Sequence, residues 1–227
     1  ESVRGWDRAF LIGRARSEEC QLDAASVAAY FPLDKVLHGV SALVGRVFGL
    51  HLTEVEMSPG EKWCHGVRKL RVSTAGGGGE GEDIGTVYLD LSPRPHKFPH
   101  AAHFVIRCSR RRRDGGGRQK PAVALVCNFG TSSSTSSSAL LSHSELETFL
   151  HELGHAMHSV LSDTEYQHVS GTRCAIDLVE VPSHLFEYFA WDPGALGLIS
   201  GHRVTGDPMP REMVRKLRRS KELFGAT

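Results

Sequence analysis

The sequence has 227 residues, 40% of them hydrophobic, and a formal net charge of +1 at neutral pH. That length and composition suit a globular core in one large domain, and the near-neutral balance provides no global field to attract nucleic acid or an anionic membrane. No apolar run reaches the ~18 residues that a membrane-spanning helix needs.

The start, ESVRGWDRAF, has no initiator Met, no signal-peptide core and no long Arg/Ser-rich presequence, and it reads as a mature piece or a fragment. Residues 1–50 read as helical. Val36, Val40, Leu43, Val44, Val47 and Phe48 recur at helical spacing, with Pro32 breaking the chain before them, a start near Asp34 and Gly49 as the stop. From residue 67 the period shortens. VRKLRV, IGTVYLDL, HFVIRCS and AVALVCNF are short β-branched runs, which predicts a small sheet over 67–130. The segments between them, STAGGGGEGED, SPRPHKFPH and RRRRDGGGRQK, read as hairpin loops.

The glycine run lacks a following Lys-Ser/Thr, so it is no phosphate loop. Arg110 to Arg113 have no interleaved aromatics and read as a solvated turn, so no nucleic-acid partner is expected. TSSSTSSS, residues 131–138, reads as a low-complexity linker. The helical period then returns and lasts to REMVRKLRRSKELF, which predicts a last helix with Met213, Leu217 and Phe224 on one side. The five cysteines, Cys20, Cys64, Cys108, Cys127 and Cys174, are far apart with no C-x-x-C. A disulfide framework is not expected; they read as small hydrophobes in a reducing compartment.

The chemistry lies in TFLHELGHAMHSVL, residues 148–161. Ser142 and Glu145 have capping-box spacing, so a helix starts there. Leu146, Phe149, Leu150, Leu153, Met157, Val160 and Leu161 form its apolar face. At ~100° per residue, His155 lies ~40° and His158 about −20° from His151, on a different face. His151 and His155, one turn apart, can converge on one ion at about 2.0–2.1 Å. Glu152 lies ~100° round the helix, outside the ligand plane but within reach of a metal-held water as its base. Gly154 sits beside the ligands, which suggests that another backbone or a substrate passes close.

A catalytic zinc needs a third protein ligand. Downstream, CAIDLVEVPSHLFEYFAWDPG places Ile176, Val179, Leu185, Phe186 and Phe189 on a second helix, stopped at Asp192-Pro193-Gly194. Pro182 is tolerated in a first turn, so the start is expected near 178–180, which puts Glu180 at the mouth of the helix as that ligand. Asp177 and Glu187 are candidates to hold the free imidazole N–H groups, and Asp177 reads equally well as an N-cap. His158 is a rival third ligand, although three ligands from one straight helix cannot surround an ion tetrahedrally. AVALVCNF is either an edge strand able to pair with an extended peptide or an interior strand. HVSGT, 168–172, is either a flexible loop lining the cleft or a simple connector.

FLHELGHAMHS, YQHVSGTRCAIDLVEVPSHLFEYFA and ALVCNF together resemble the thimet-oligopeptidase (M3) family of zinc metallopeptidases. WDRAF, YFPLDKVLHGV and HFVIR extend the likeness over nearly the whole chain. YQHVSGTRC followed by EVPSHLFEYFA favours a mitochondrial branch over the cytosolic oligopeptidases. The resemblance implies a mainly α fold with a small β-sheet beside the active site (α+β, zincin-like) in a single catalytic domain, with 142–192 as its zinc-binding helix pair. It implies Zn²⁺ on His151, His155 and Glu180, with Glu152 as catalytic base. It also implies a channel for unstructured peptides, a monomer, and removal of short N-terminal peptides from imported precursors in the mitochondrial matrix. Family members are several times longer, so a partial chain is expected, without the downstream His and Tyr residues that contact substrate. A cytosolic-type oligopeptidase, a zinc- or peptide-binding fragment without catalysis, and a chain holding no metal remain as alternatives.

Overall fold

The computed structural model describes residues 3–75, 81–130 and 139–223. The linker 131–138, the glycines at 76–79 and Phe224 lie outside them. A 3₁₀ turn, Gly5–Asp7, leads into α1 (Arg8–Cys20). In α2 (Ala24–Ala28) the Asp23 carboxylate accepts the Ser26 N–H as an N-cap. Helix α3 (Leu33–Phe48) follows Pro32, buries Val36, Val40, Leu43 and Val44, and stops at Gly49, whose φ of 66° a side chain would resist. Val47 and Phe48, expected on that buried face, are exposed, with Phe48 stacked on Phe186.

Seven strands follow: β1 (Leu50–Val55), β2 (Arg68–Thr74), β3 (Asp83–Asp90), β4 (Ala102–Arg107), β5 (Arg110–Arg111), β6 (Arg118–Gln119) and β7 (Ala122–Val126). Five form a mixed sheet in the order β1-β2-β3-β7-β4; β5 and β6 form a separate hairpin carrying the exposed arginines. The β3–β7 pair is parallel and the others antiparallel. Of the two readings of AVALVCNF the interior one holds: the strand is paired on both sides, and β1 and β4 are the edge strands of the sheet. One expectation is corrected. SPRPHKFPH is not a hairpin loop, because β7 lies between β3 and β4. The segment crosses the end of β7, held there by Lys97, whose ammonium donates to the carbonyls of Asp90, Ser92 and Cys127.

Lys97 also pairs with the Asp90 carboxylate at 3.0 Å, and Arg94 and Trp63 donate to the same group. Both Asp90 and Lys97 side chains are buried. Burial alone would raise the Asp90 pKa, but the donors outweigh it and hold it at about 2.

Helix α4 (His143–Leu161) lies on the sheet over β3, β7 and β4. Its Phe149, Leu150, Leu153, Met157 and Val160 join Val87, Leu89, Val123 and Leu125 in one core. Cutting a fully buried leucine such as Leu153 to Ala there costs about 2–5 kcal/mol. A 3₁₀ turn, Gln167–Val169, precedes α5 (Ile176–Glu187), and a third, Tyr188–Ala190, follows it. Next comes α6 (Pro193–Ile199), which Asp192 N-caps with Pro193 as its first residue, so Asp-Pro-Gly starts a helix as well as stopping one. Helix α7 (Arg211–Glu222) buries Val214 and Leu217. The result is helices packed on a small mixed sheet, an α+β arrangement. Among the described residues no helix is long and apolar enough to cross a membrane. All five cysteines are free, and two, Cys20 and Cys127, are buried.

Candidate metal centre

The capping box that starts α4 is complete: Ser142 Oγ accepts the Glu145 N–H and Glu145 accepts the Ser142 N–H. Two turns later the helix presents His151 and His155 to α5. Their rings lie 4.9 Å apart, nearly perpendicular. Glu180 reaches across from α5, placing Oε2 3.2 Å from His155 Nε2 and 3.5 Å from His151 Nε2. The three donor atoms lie within 4.8 Å of one another, a set that suits a divalent cation.

The two helices meet this closely because of Gly154. A Cβ on it would lie 2.6 Å from both the Pro182 carbonyl oxygen and Ser183 Cα. The neighbour anticipated beside Gly154 is therefore the α5 backbone. Helix α5 begins at Ile176, earlier than expected, so Pro182 lies inside it and Glu180 one turn in. Pro182 has no N–H and so cannot pair with the Leu178 carbonyl.

Supporting contacts hold two of the three residues, His151 and Glu180, while His155 Nδ1 is buried without a partner among the described residues. Glu187 Oε1 accepts from His151 Nδ1 at 2.6 Å and from His184 Nδ1 at 3.1 Å. The neighbouring imidazoles hold its carboxyl below the usual range, against the effect of burial. A carboxylate only accepts, so His151 Nδ1 carries the proton donated to Glu187. In the neutral ring this leaves the Nε2 lone pair, 3.5 Å from Glu180 Oε2, available to a metal ion. Ser183 Oγ donates to Glu180 Oε2 at 2.7 Å, the chief cause of its lowered pKa. Burial lowers the pKa of His155, which favours the neutral, ligating imidazole.

Glu152 belongs to neither ligand grouping among the described residues and is 7% exposed. Burial raises its pKa, with Glu180 adding to the effect; His151 and the His103 backbone N–H, which donates to the carboxylate, oppose it. His103 therefore brings the edge strand β4 beside Glu152. Its side chain contacts Ser159 Oγ at 3.1 Å, and burial lowers its pKa to about 4.

The other expected residues separate clearly. Asp177 is exposed in the first turn of α5; Ala175 occupies the N-cap position, and no hydrogen bond joins Asp177 to either imidazole. His158 belongs to neither ligand grouping found among the described residues, and its Nδ1 is buried without a partner. HVSGT is a docked connector: the Gly171 N–H donates to Ser162 Oγ just past the end of α4. Sequence reasoning missed Ser183 and His103. Ser183, next to Pro182 and three residues after a carboxylate, carried a local signal; His103 carried none, because only the sheet brings it to α4.

The model of Peptidase family M3 matches residues 1–226. Over 98% of its length the chain is 42% identical to the mitochondrial intermediate peptidase of Arabidopsis thaliana. Over 99% it is 39% identical to that of Homo sapiens and 36% identical to that of Neurospora crassa. It covers 31–32% of these relatives, about a third of their length. The family match from end to end, together with two histidines and a carboxylate gathered on a helix pair, leads to one conclusion: the chain belongs to peptidase family M3.

Proposed function

We propose that this chain carries the zinc-binding and catalytic centre of a metalloendopeptidase with a zincin-like core. The observation that carries the reading is the convergence of His151 Nε2, His155 Nε2 and Glu180 Oε2. Two imidazoles and a carboxylate, with a side open to solvent, match the ligand set of catalytic zinc. A zinc ion held there supplies Lewis acidity and lowers the pKa of a bound water toward about 7.

The chain's own groups do the rest. Glu187 and Ser183 orient His151 and Glu180. Glu152, its basicity raised by burial, takes a proton from the attacking water and returns it to the leaving amine. The free edge of β4 lies next to Glu152 and is suited to pair with an extended peptide. That favours unstructured substrates, because a folded segment offers no free strand. The relatives are named mitochondrial intermediate peptidases, which supports a peptidase role in mitochondria; within that role the reading is removal of N-terminal octapeptides from imported precursors in the matrix, by a monomer.

The test is zinc content of the purified chain beside His155→Ala. Near one zinc per chain, lost in the variant, supports the centre; cleavage of an octapeptide-bearing precursor then tests the substrate. A folded wild type without zinc overturns the reading. A second reading draws on the exposed Leu178, Val181 and Leu185 of α5, an apolar face that a further segment would cover. Stoichiometric zinc without cleavage would favour that reading, a metal-binding part that needs more chain to act.

A further inference from the structure

The β5–β6 hairpin follows directly on β4 and carries the chain's run of arginines. Arg118 fixes its position: Nη2 donates to the Val160 and Ser162 carbonyls at the end of α4, and Nε donates to the buried Ser109 Oγ at 2.7 Å. The hairpin is therefore docked on α4. With the end of β4 it walls a cavity of about 660 Å³, lined by six cationic side chains and one carboxylate, Asp114. Arg112 pairs with Asp114, and Lys120 with Asp83. Arg107, Arg110 and Arg113 are exposed and have no carboxylate within ion-pair distance among the described residues. Arg107 donates to the Lys120 carbonyl and Arg110 to the Gln119 side chain, neutral acceptors that leave both charges uncompensated. Three such guanidiniums around one concavity repel one another, and an anionic guest relieves the repulsion.

The guest is a polypeptide. The cavity adjoins an edge strand, whose backbone groups on that edge no other strand pairs. No aromatic residue lies between Arg107 and Lys120, so the hairpin has nothing to stack on nucleic-acid bases. We propose that the cavity binds aspartate or glutamate side chains of an extended polypeptide whose main chain pairs with the edge of β4. Arg107 stands four residues along β4 from His103, whose N–H donates to Glu152. At about 3.3 Å per residue that is roughly 13 Å. The acidic side chain is thus held about four positions from the peptide bond beside Glu152, and substrates are selected by charge at that distance. Recognition of the acidic residue rests on the arginines; its distance from the bond cut rests also on the function proposed above.

Fluorescence anisotropy tests this on the chain carrying Glu152→Gln, so that no probe is cut. The probes are labelled extended peptides identical apart from a pair of Glu, Gln or Lys, and a single-stranded RNA of similar length. The Glu peptide is expected to bind roughly tenfold tighter than the Gln peptide at low salt, an advantage that added salt removes. Arg110→Glu/Arg113→Glu should abolish the advantage, with Arg110→Gln/Arg113→Gln in its place should the reversal not fold. Arg211→Glu/Arg218→Glu, the same charge change on the exposed face of α7, should leave it intact. Equal binding of the Glu and Gln peptides overturns the proposal. So does equal loss in the α7 variant, or RNA bound more tightly than the Glu peptide. A photocrosslinker four residues from the Glu pair, on one side or the other, should label the chain around His103 and Glu152; labelling elsewhere overturns the placement along β4. A chain that binds the Glu peptide in this way and holds no zinc keeps the acidic site and overturns the metalloendopeptidase reading, so the two failures are distinguishable.

Discussion

Gly154 and Pro182 are in backbone contact, with room for a hydrogen on Gly154 and not for a methyl group: a Cβ would lie 2.6 Å from the Pro182 carbonyl oxygen. The spacing of the ligand-bearing helices is therefore set by one residue that is not a ligand. Gly154→Ala should gain up to ~1 kcal/mol in helix propensity and still lower stability, because α5 must move away. The same movement carries Glu180 from His151 and His155. Zinc affinity should fall at least about tenfold, a result that a dye-competition titration reads; unchanged affinity would show that α5 adapts without cost.

Glu152 is buried beside the triad without being part of it. Glu152→Gln keeps the shape and removes the base. Zinc content should stay near that of the wild type while peptide cleavage falls by roughly two orders of magnitude or more. Retained cleavage by this variant would sink the assigned role.

Glu187 holds His151 through a 2.6 Å bond. Replacing such a partner of a metal-binding imidazole typically weakens metal affinity about 10–100-fold. Glu187→Gln should show that loss with little change in melting temperature, since the group is near the surface. Equal loss of zinc and of fold would mark it as a structural residue instead.

Asp90 predicts an acid limit. Its pKa is about 2 in the folded chain against an ordinary 3.8. A carboxyl with a depressed folded pKa contributes stability that is complete above its unfolded value. That contribution is lost as the pH falls from about 5 through 2, and it amounts to about 2 kcal/mol. Asp90→Asn should lower stability at pH 7 and flatten its decline in acid; urea unfolding at pH 7 and pH 3 measures both. A variant whose stability falls with acid as steeply as the wild type's would remove Asp90 from the account.

The site was far more legible in the sequence than the sheet. His151, His155, Glu152 and the Ser142–Glu145 cap lie within one helix, where a period of 3.6 fixes relative direction. Glu180 and Glu187 followed from a second helix even though its start was placed late: Pro182 was read as a first-turn residue, whereas it lies inside a helix that starts at Ile176. Strand β1 was not foreseen. Its alternation, Leu50-His51-Leu52-Thr53, is short and breaks at Glu54, too brief to mark a strand, and pairing with β2 defines it. Strand order was equally hidden, because the placement of β7 between β3 and β4 depends on distant contacts such as Lys97 to the Cys127 carbonyl. His103 reaches Glu152 only through that order.

Glu145 has one further partner besides its own cap. Its Oε1 accepts the Gly130 N–H at 2.7 Å, and Leu140 is bridged to Pro32. The chain is thus moored on both flanks of residues 131–138, and the start of α4 is anchored independently of what joins them. Length there is free to drift. Because closure entropy grows only with the logarithm of loop length, doubling such a segment costs about 0.6 kcal/mol, and the cost falls on global stability without reaching His151. Gly130 to Ala139 is therefore a natural splice point, where a fluorescent reporter or an affinity handle can be inserted 12 residues before His151.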